Sequence, residues 1–320
     1  MKPFIHKQRR LRQLIYLLAC SLGVILFCMQ SVNAQKAASC RPQFISSKTQ
    51  VGSASEALNS SCKDPVINTQ AALEELAKAD VVYLGETHDR LEDHQTQLQI
   101  IQELQRRNQK VAIAMEMFQR PYQDAIDRYL AGQLSEQELI EQTEYNQRWG
   151  FPWENYAPIL RFAKKKQLPV LAVNTPTEIT RQVARSGLKS LTPQQRQLIP
   201  PFSEIRTDNP EYRQLLAETF QQHQHFGHGN SSGFERFFQA QVLWDETMAA
   251  EIANFLKTNP KYQVVVLAGR GHIVYGYGIP TRVARRLKER NLVQRSVLLS
   301  FVEEDVSKNK RAIADFIWQQ

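Results

Sequence analysis

The sequence predicts an α/β fold in three layers, α/β/α, with a mainly parallel sheet and a helical cap over the carboxyl edge of that sheet. Three observations lead there. Four short apolar runs each stop at a polar residue suited to chemistry: 81–84 before Gly85-Glu86-Thr87-His88, 111–115 before Glu116, 169–173 before Asn174, and 264–268 before Gly269-Arg270-Gly271-His272. Between the runs the apolar periodicity is helical, and strands joined by long helical crossovers pair in parallel with helices on both faces. The stretches 119–165 and 188–256 are longer than a crossover requires, and the excess supplies the cap.

The chain opens on a targeting segment. Lys2, Lys7, Arg9, Arg10 and Arg12 precede an apolar stretch over 14–29, and Val32-Asn33-Ala34 has the small residues of a cleavage site. Residues 1–34 therefore read as a secretory signal peptide. A retained anchor is the rival reading, although the apolar stretch is short for a bilayer span. Leu17-Leu18-Ala19-Cys20 is only loosely like a lipoprotein box, because the apolar stretch runs on past Cys20. Export would make the protein periplasmic, or membrane-attached in the cell envelope. The basic residues of the signal carry five of the eight net positive charges. Lys164-Lys165-Lys166 reads as a solvated helix end, so nothing argues for a nucleic-acid partner.

Residues 35–64, rich in Ser, Gln, Lys and Ala and without periodicity, read as a linker before a domain over 65–301. Cys40 and Cys62 lie in it. An oxidising compartment favours pairing them over a metal site, which would want a histidine nearby. Within the domain, Leu91, Leu98, Ile101 and Leu104 predict a helix after the first strand. Two more follow over 117–131 and 136–142, broken at Leu134-Ser135. The segment 156–166 leads into the third strand and 176–185 leaves it; helices then dominate 211–257, interrupted around Gly227-His228-Gly229-Asn230. Another helix over 281–289 follows the fourth strand, and 296–301 supplies a fifth strand. In the tail, 302–320, the positions of Ala312, Ile313, Phe316, Ile317 and Trp318 predict a short docked helix.

Parallel strands present their last residues along one edge, where open α/β sheets bind ligands. Gly85, Glu86, His88, Glu116, Asn174, Gly269, Arg270 and His272 would converge there. An imidazole switches charge near neutral pH or ligates a metal, and a glutamate serves as base, ligand or orienter. Two histidines with Glu116 would suit zinc or iron. The competing reading is that these strand-end groups satisfy one another and cap helices; their joint occurrence at separate strand ends favours a site. Asp245 falls on the apolar stripe Phe234, Phe238, Val242, Ala249, Ile252, Leu256, so it needs a buried partner, a histidine or an arginine such as Arg270. His223, His225 and His228 do not align on one helix face. His94 reads as a packed histidine. Trp149, Phe151, Trp153 and Tyr156 form an aromatic cluster that either lines a flat apolar ligand or knots the cap together. No Gly-x-Ser-x-Gly elbow and no His-Glu-x-x-His run is present, which disfavours serine hydrolases of that type and zincins.

The motifs VVYLGETHD (81–89), AMEMF (114–118), WDETMA (244–249), GRGHI (269–273) and YGYGIP (275–280) occur in the order in which they resemble the ChaN family. The resemblance covers about residues 65–301. It implies exported bacterial proteins of haem binding and iron uptake, often lipoproteins, with haem held through tyrosine at a homodimer interface. Uptake machinery of the envelope is the implied partner. Haem-binding candidates are Tyr275 and Tyr277, nearest the second Gly-x-x-His motif, with Trp149 and Tyr156; packing in a Gly-rich turn is the alternative for the two tyrosines. The wider superfamily, with Tiki-type peptidases and erythromycin esterases, implies something else. There Glu86, His88, Glu116 and His272 would serve metal-dependent or general-base hydrolysis, as peptidase or esterase.

Overall fold

A computed structural model describes residues 43–46, 66–67, 69–224, 231–300 and 312–319. The signal segment, Cys40, Cys62, His225 and His228 lie outside the described residues. The sheet has eight strands: β1 (Gln43–Ser46), β2 (Val66–Ile67), β3 (Val81–Glu86), β4 (Val111–Gln119), β5 (Val170–Asn174), β6 (Gln263–Gly269), β7 (Gln294–Leu298) and β8 (Phe316–Gln319). Their spatial order is β2-β1-β8-β7-β3-β6-β4-β5. The six strands from β8 to β5 are mutually parallel, and β1 joins β8 and β2 antiparallel.

Strands buried on both faces read as continuous apolar runs, and alternate residues of the central strands feed two separate cores. Val82, Leu84, Ile113, Met115, Val265 and Leu267 face one. Helices α1 (Thr69–Ala77) and α2 (Leu91–Arg107) cover that core, together with α3 (Gln123–Leu130), α4 (Glu136–Gln142), α5 (Tyr145–Arg148) and α6 (Trp153–Lys166). Val81, Tyr83, Ala112, Ala114, Val264 and Val266 face the other. A third cluster packs α7 (Thr177–Ser186), α9 (Pro210–Gln224) and the front of α10 (Ser231–Thr258) around Tyr212, Phe238 and Tyr277. Two short helices complete the set, α8 (Pro193–Arg196) and α11 (Ile279–Arg286); α10 and α11 cover the second core. No helix among the described residues is long and apolar enough to cross a membrane.

Four expectations are corrected. Residues 117–119 do not begin a helix: all nine residues of β4 are buried, Gln119 pairs with Asn174 across an irregularity, and Pro121 opens a 3-10 turn only afterwards. The tail does not dock as a helix. Phe316 and Trp318 point into the first core and Ile317 into a satellite cluster with Leu298 and Ile313, the period of two that makes β8 a strand. The fifth predicted strand starts earlier, at Gln294, in register with Val81. Within the expected linker, Gln43–Ser46 forms β1 on the far side of β8.

Candidate functional site

Strands β3, β6 and β4 are neighbours, and they deliver His88, His272 and Glu116 to one cleft. Two glycines permit the approach. A Cβ on Gly269 would lie 2.8 Å from His88 Nε2, and one on Gly85 2.9 Å from Leu298 Cδ2. Gly269 also donates its backbone N–H to Glu116 Oε2 at 2.8 Å. His272 Nε2 stands 3.5 Å from Glu116 Oε1. Asn174, at the end of β5, donates its Nδ2 to the Glu116 carbonyl at 2.7 Å. Its Oδ1 is buried without a hydrogen-bond partner among the described residues.

Each imidazole is held from behind by a buried carboxylate. Glu86 Oε1 accepts from His88 Nδ1 at 2.8 Å, and Asp245 Oδ1 from His272 Nδ1 at 2.7 Å. Each carboxylate in turn accepts a tyrosine hydroxyl: Tyr156 donates to Glu86 at 2.6 Å and Tyr212 to Asp245 Oδ2 at 2.5 Å. Gln97 donates to Glu86 Oε2 at 2.5 Å, and His94 lies on the His88 carbonyl at 3.0 Å. Half-buried indoles stand edge-on to both imidazoles, Trp149 at 4.9 Å from His88 and Trp244 at 6.0 Å from His272. Phe151 leans on His88 from a third side.

Burial works against charge on His88, Glu116 and His272, and pairing outweighs it. Glu86 and Glu116 together raise His88 above its usual range. Glu116 and Asp245 raise His272 to about 10. Glu116, between two imidazoles and under the Gly269 N–H, falls to about 2. An opposite charge within a few ångströms favours the charged form, which is the rule at work in all three. Beside the cleft, Asp93 is fully buried at the first turn of α2. It accepts from the Thr87 N–H at 2.8 Å and the Ser300 hydroxyl at 3.2 Å, pinning the loop that carries His88. Burial pushes its carboxyl up to about 6.

The predicted residues separate into two groups. Glu86, His88, Glu116, Asn174, Gly269 and His272 meet, with Gly85 beneath them, and of the two partners the sequence offers Asp245, a histidine or an arginine, it takes the histidine, His272. Tyr156 joins the same group as a buried donor, which leaves its hydroxyl no room for haem. Tyr277 is 4% exposed and packed against Tyr212. Tyr275 is half-buried, with φ at +56°, within electrostatic reach of Arg270. A bulky residue there is a backbone outlier, the kind of strain that clusters at ligand sites. For haem, Tyr275 is thus the one fitting phenol of the three candidates, with Arg270 within electrostatic reach. Among the described residues, no three His, Cys, Asp or Glu side chains are arranged to hold a metal ion. Tyr212 and Gln97 are not legible in the sequence: nothing local marks a tyrosine whose partner lies 33 residues away.

The fold aligns with ChaN of Campylobacter jejuni, solved with cofacially bound haem, at a TM-score of 0.65 and 17% identity. The alignment covers 87% of this chain and 96% of that one. An erythromycin esterase variant, EreC, aligns at a TM-score of 0.42 and 16% identity over 77% of this chain and 78% of that one, a likeness that carries no chemistry across. By sequence, the chloroplastic protein RETICULATA-RELATED 5 of Arabidopsis thaliana is 26% identical over 262 residues, 77% of this chain. This chain spans about a third (34%) of that relative's length. Residues 72–283 match the family model described as haem-binding uptake, Tiki superfamily, ChaN. With two neighbouring strands each ending in Gly-x-x-His and that match over most of the domain, the chain belongs to the ChaN family of haem-binding uptake proteins.

Proposed function

We propose that this protein binds haem in the cell envelope, in iron acquisition or haem handling, after export directed by residues 1–34. The observation that carries the reading, beyond family membership, is Tyr275: a half-buried phenol in a left-handed backbone conformation within electrostatic reach of Arg270. Bound haem would supply a ferric ion that takes an anionic oxygen ligand. Tyr275 would offer that oxygen; burial pushes its phenol up, the Arg270 charge opposes that rise, and binding to the ferric ion would displace the proton. Trp149 and Phe151 add half-buried aromatic surface at the same edge. Pairing of two copies around haem, and delivery to uptake machinery of the envelope, extend the reading. Titration of the purified protein with haemin tests it, followed by absorbance and native mass. Wild type gives a saturable Soret shift and a dimer mass, and Tyr275→Phe loses the shift while Tyr277→Phe keeps it. A flat wild-type titration ends the reading.

A second reading is favoured by a different observation, the pair of carboxylate-held imidazoles around Glu116. Such a cleft suits general-base hydrolysis of an ester or peptide. At about 2, Glu116 is too acidic to be an efficient base near neutral pH. His88 Nε2 is the better base, and His272, held as imidazolium, would stabilise developing negative charge. Turnover of ester and peptide substrates lost in both His88→Ala and Glu116→Gln would support it, and equal turnover in folded variants would remove it.

A further inference from the structure

The two halves of the cleft repeat one arrangement built by different elements. On one side Tyr156 of α6 reaches Glu86, which holds His88; on the other Tyr212 of α9 reaches Asp245, which holds His272. All four polar anchors are buried, at 0% exposure for Tyr156 and Asp245 and 1% for Tyr212 and Glu86. Both phenols come from helices outside the strands that carry the histidines, so neither is needed to build the sheet edge. Burial holds each phenol well above 10, so both stay protonated donors.

We infer that Tyr156 and Tyr212 are positioning residues, each setting how tightly a buried carboxylate grips the Nδ1–H of its own histidine and hence how Nε2 is presented to the cleft. A carboxylate that already accepts a phenol has less charge to offer the imidazole. The effect is larger at His88. There the phenol and the imidazole share one oxygen, Oε1 of Glu86, whereas at Asp245 they use different oxygens. Partners of this kind fix ring orientation and tautomer, the role well known behind metal-bound histidines and catalytic ones alike. The inference rests on the hydrolytic reading of the cleft, but its test does not.

The experiment follows the Nδ1–H proton resonances of His88 and His272 in the full chain, labelled with 15N-histidine, at one fixed pH. Tyr156→Phe removes the competing donor, so the His88 proton moves downfield and His272 stays in place. Tyr212→Phe does the reverse, with a smaller displacement. Site-specific 3-fluorotyrosine at 156 or 212 keeps the shape and strengthens the donor, so the matched proton moves upfield. That second perturbation serves if either phenylalanine variant fails to fold. Resonances that ignore both perturbations, or that move together whichever tyrosine is changed, overturn the inference. Absence of hydrolysis in the wild type would sink the hydrolytic reading alone, since the resonances report the grip whether or not turnover occurs.

Discussion

Glu116→Gln offers the sharpest test of the electrostatics, because it removes one charge and almost no volume. The carboxyl lies at about 2 instead of its ordinary 4.5. That displacement of about 2.5 pH units, at about 1.4 kcal/mol per unit, amounts to about 3 kcal/mol of folded-state stabilisation. Breaking a buried ion pair by removing one partner costs about 3–5 kcal/mol, which agrees. His272 reports the same interaction from the other side and is not counted again; its larger displacement, from 6.5 to about 10, includes Asp245. The signs define a window. Glu116, depressed on folding, contributes fully above pH 4.5 and loses its contribution as pH falls toward 2. His272, raised on folding, contributes fully below pH 6.5 and loses its contribution as pH rises toward 10. Wild type should therefore be most stable between about pH 4.5 and 6.5 as far as this pair is concerned. Urea unfolding followed by tryptophan fluorescence at pH 5.5 and 9.5 is the assay. Glu116→Gln should be about 3 kcal/mol less stable than wild type at pH 5.5, and the gap should narrow at pH 9.5 as wild-type His272 begins to lose its proton. Equal stability at pH 5.5, or a gap that widens at high pH, refutes the pairing of Glu116 with a charged His272.

Other perturbations probe separate parts of the structure. Asp93→Asn removes a carboxylate that burial raises from 3.8 to about 6; being raised, its ionised form burdens the fold above pH 6. The variant should match or exceed wild-type stability at pH 7.5, by up to about 3 kcal/mol, with the difference gone by pH 4; denaturation showing a larger deficit at pH 7.5 contradicts this. In Gly278→Ala the new methyl would sit 2.2 Å from the His272 carbonyl oxygen. Overpacking costs at least about 1–3 kcal/mol, and a wild-type melting temperature would show that the turn yields freely. Truncation after residue 311 deletes β8, which lies between β7 and β1. Hydrogen exchange at Val297 and Leu298 should then accelerate, and unchanged protection would mean that β7 does not depend on β8.

Much of this could be read from residue order because a parallel strand buried on both faces leaves an unbroken apolar run. Val264 to Ala268 and Val81 to Leu84 announce themselves that way, and so does the edge on which His88, Glu116 and His272 gather. Short mixed segments carry no such mark. Phe316, Ile317 and Trp318 suit a helix or a strand equally until a neighbouring strand is present to choose. Met117 to Gln119 reads as a helix start because nothing in three residues distinguishes a long strand from a short one. The second layer of the site was harder still: Asp245 was legible as a buried carboxylate needing a histidine or an arginine, yet residues 27 positions apart in sequence carry no mark that singles out His272. Tyr156 carried an aromatic signature that fits packing, ligand contact and hydrogen bonding without preference.

The strand order has a consequence for how the chain comes to be folded. The first strand of the sheet has its parallel core on the other side of the last one, so residues 43–46 have no place to dock until residues 316–319 have been made. A growing chain can pair β4 with β5 as they emerge, but β3 waits for β6, and the amino-terminal arm waits for the final residues. Such a sheet closes late, its middle completed by β6 and its amino-terminal edge only by β8.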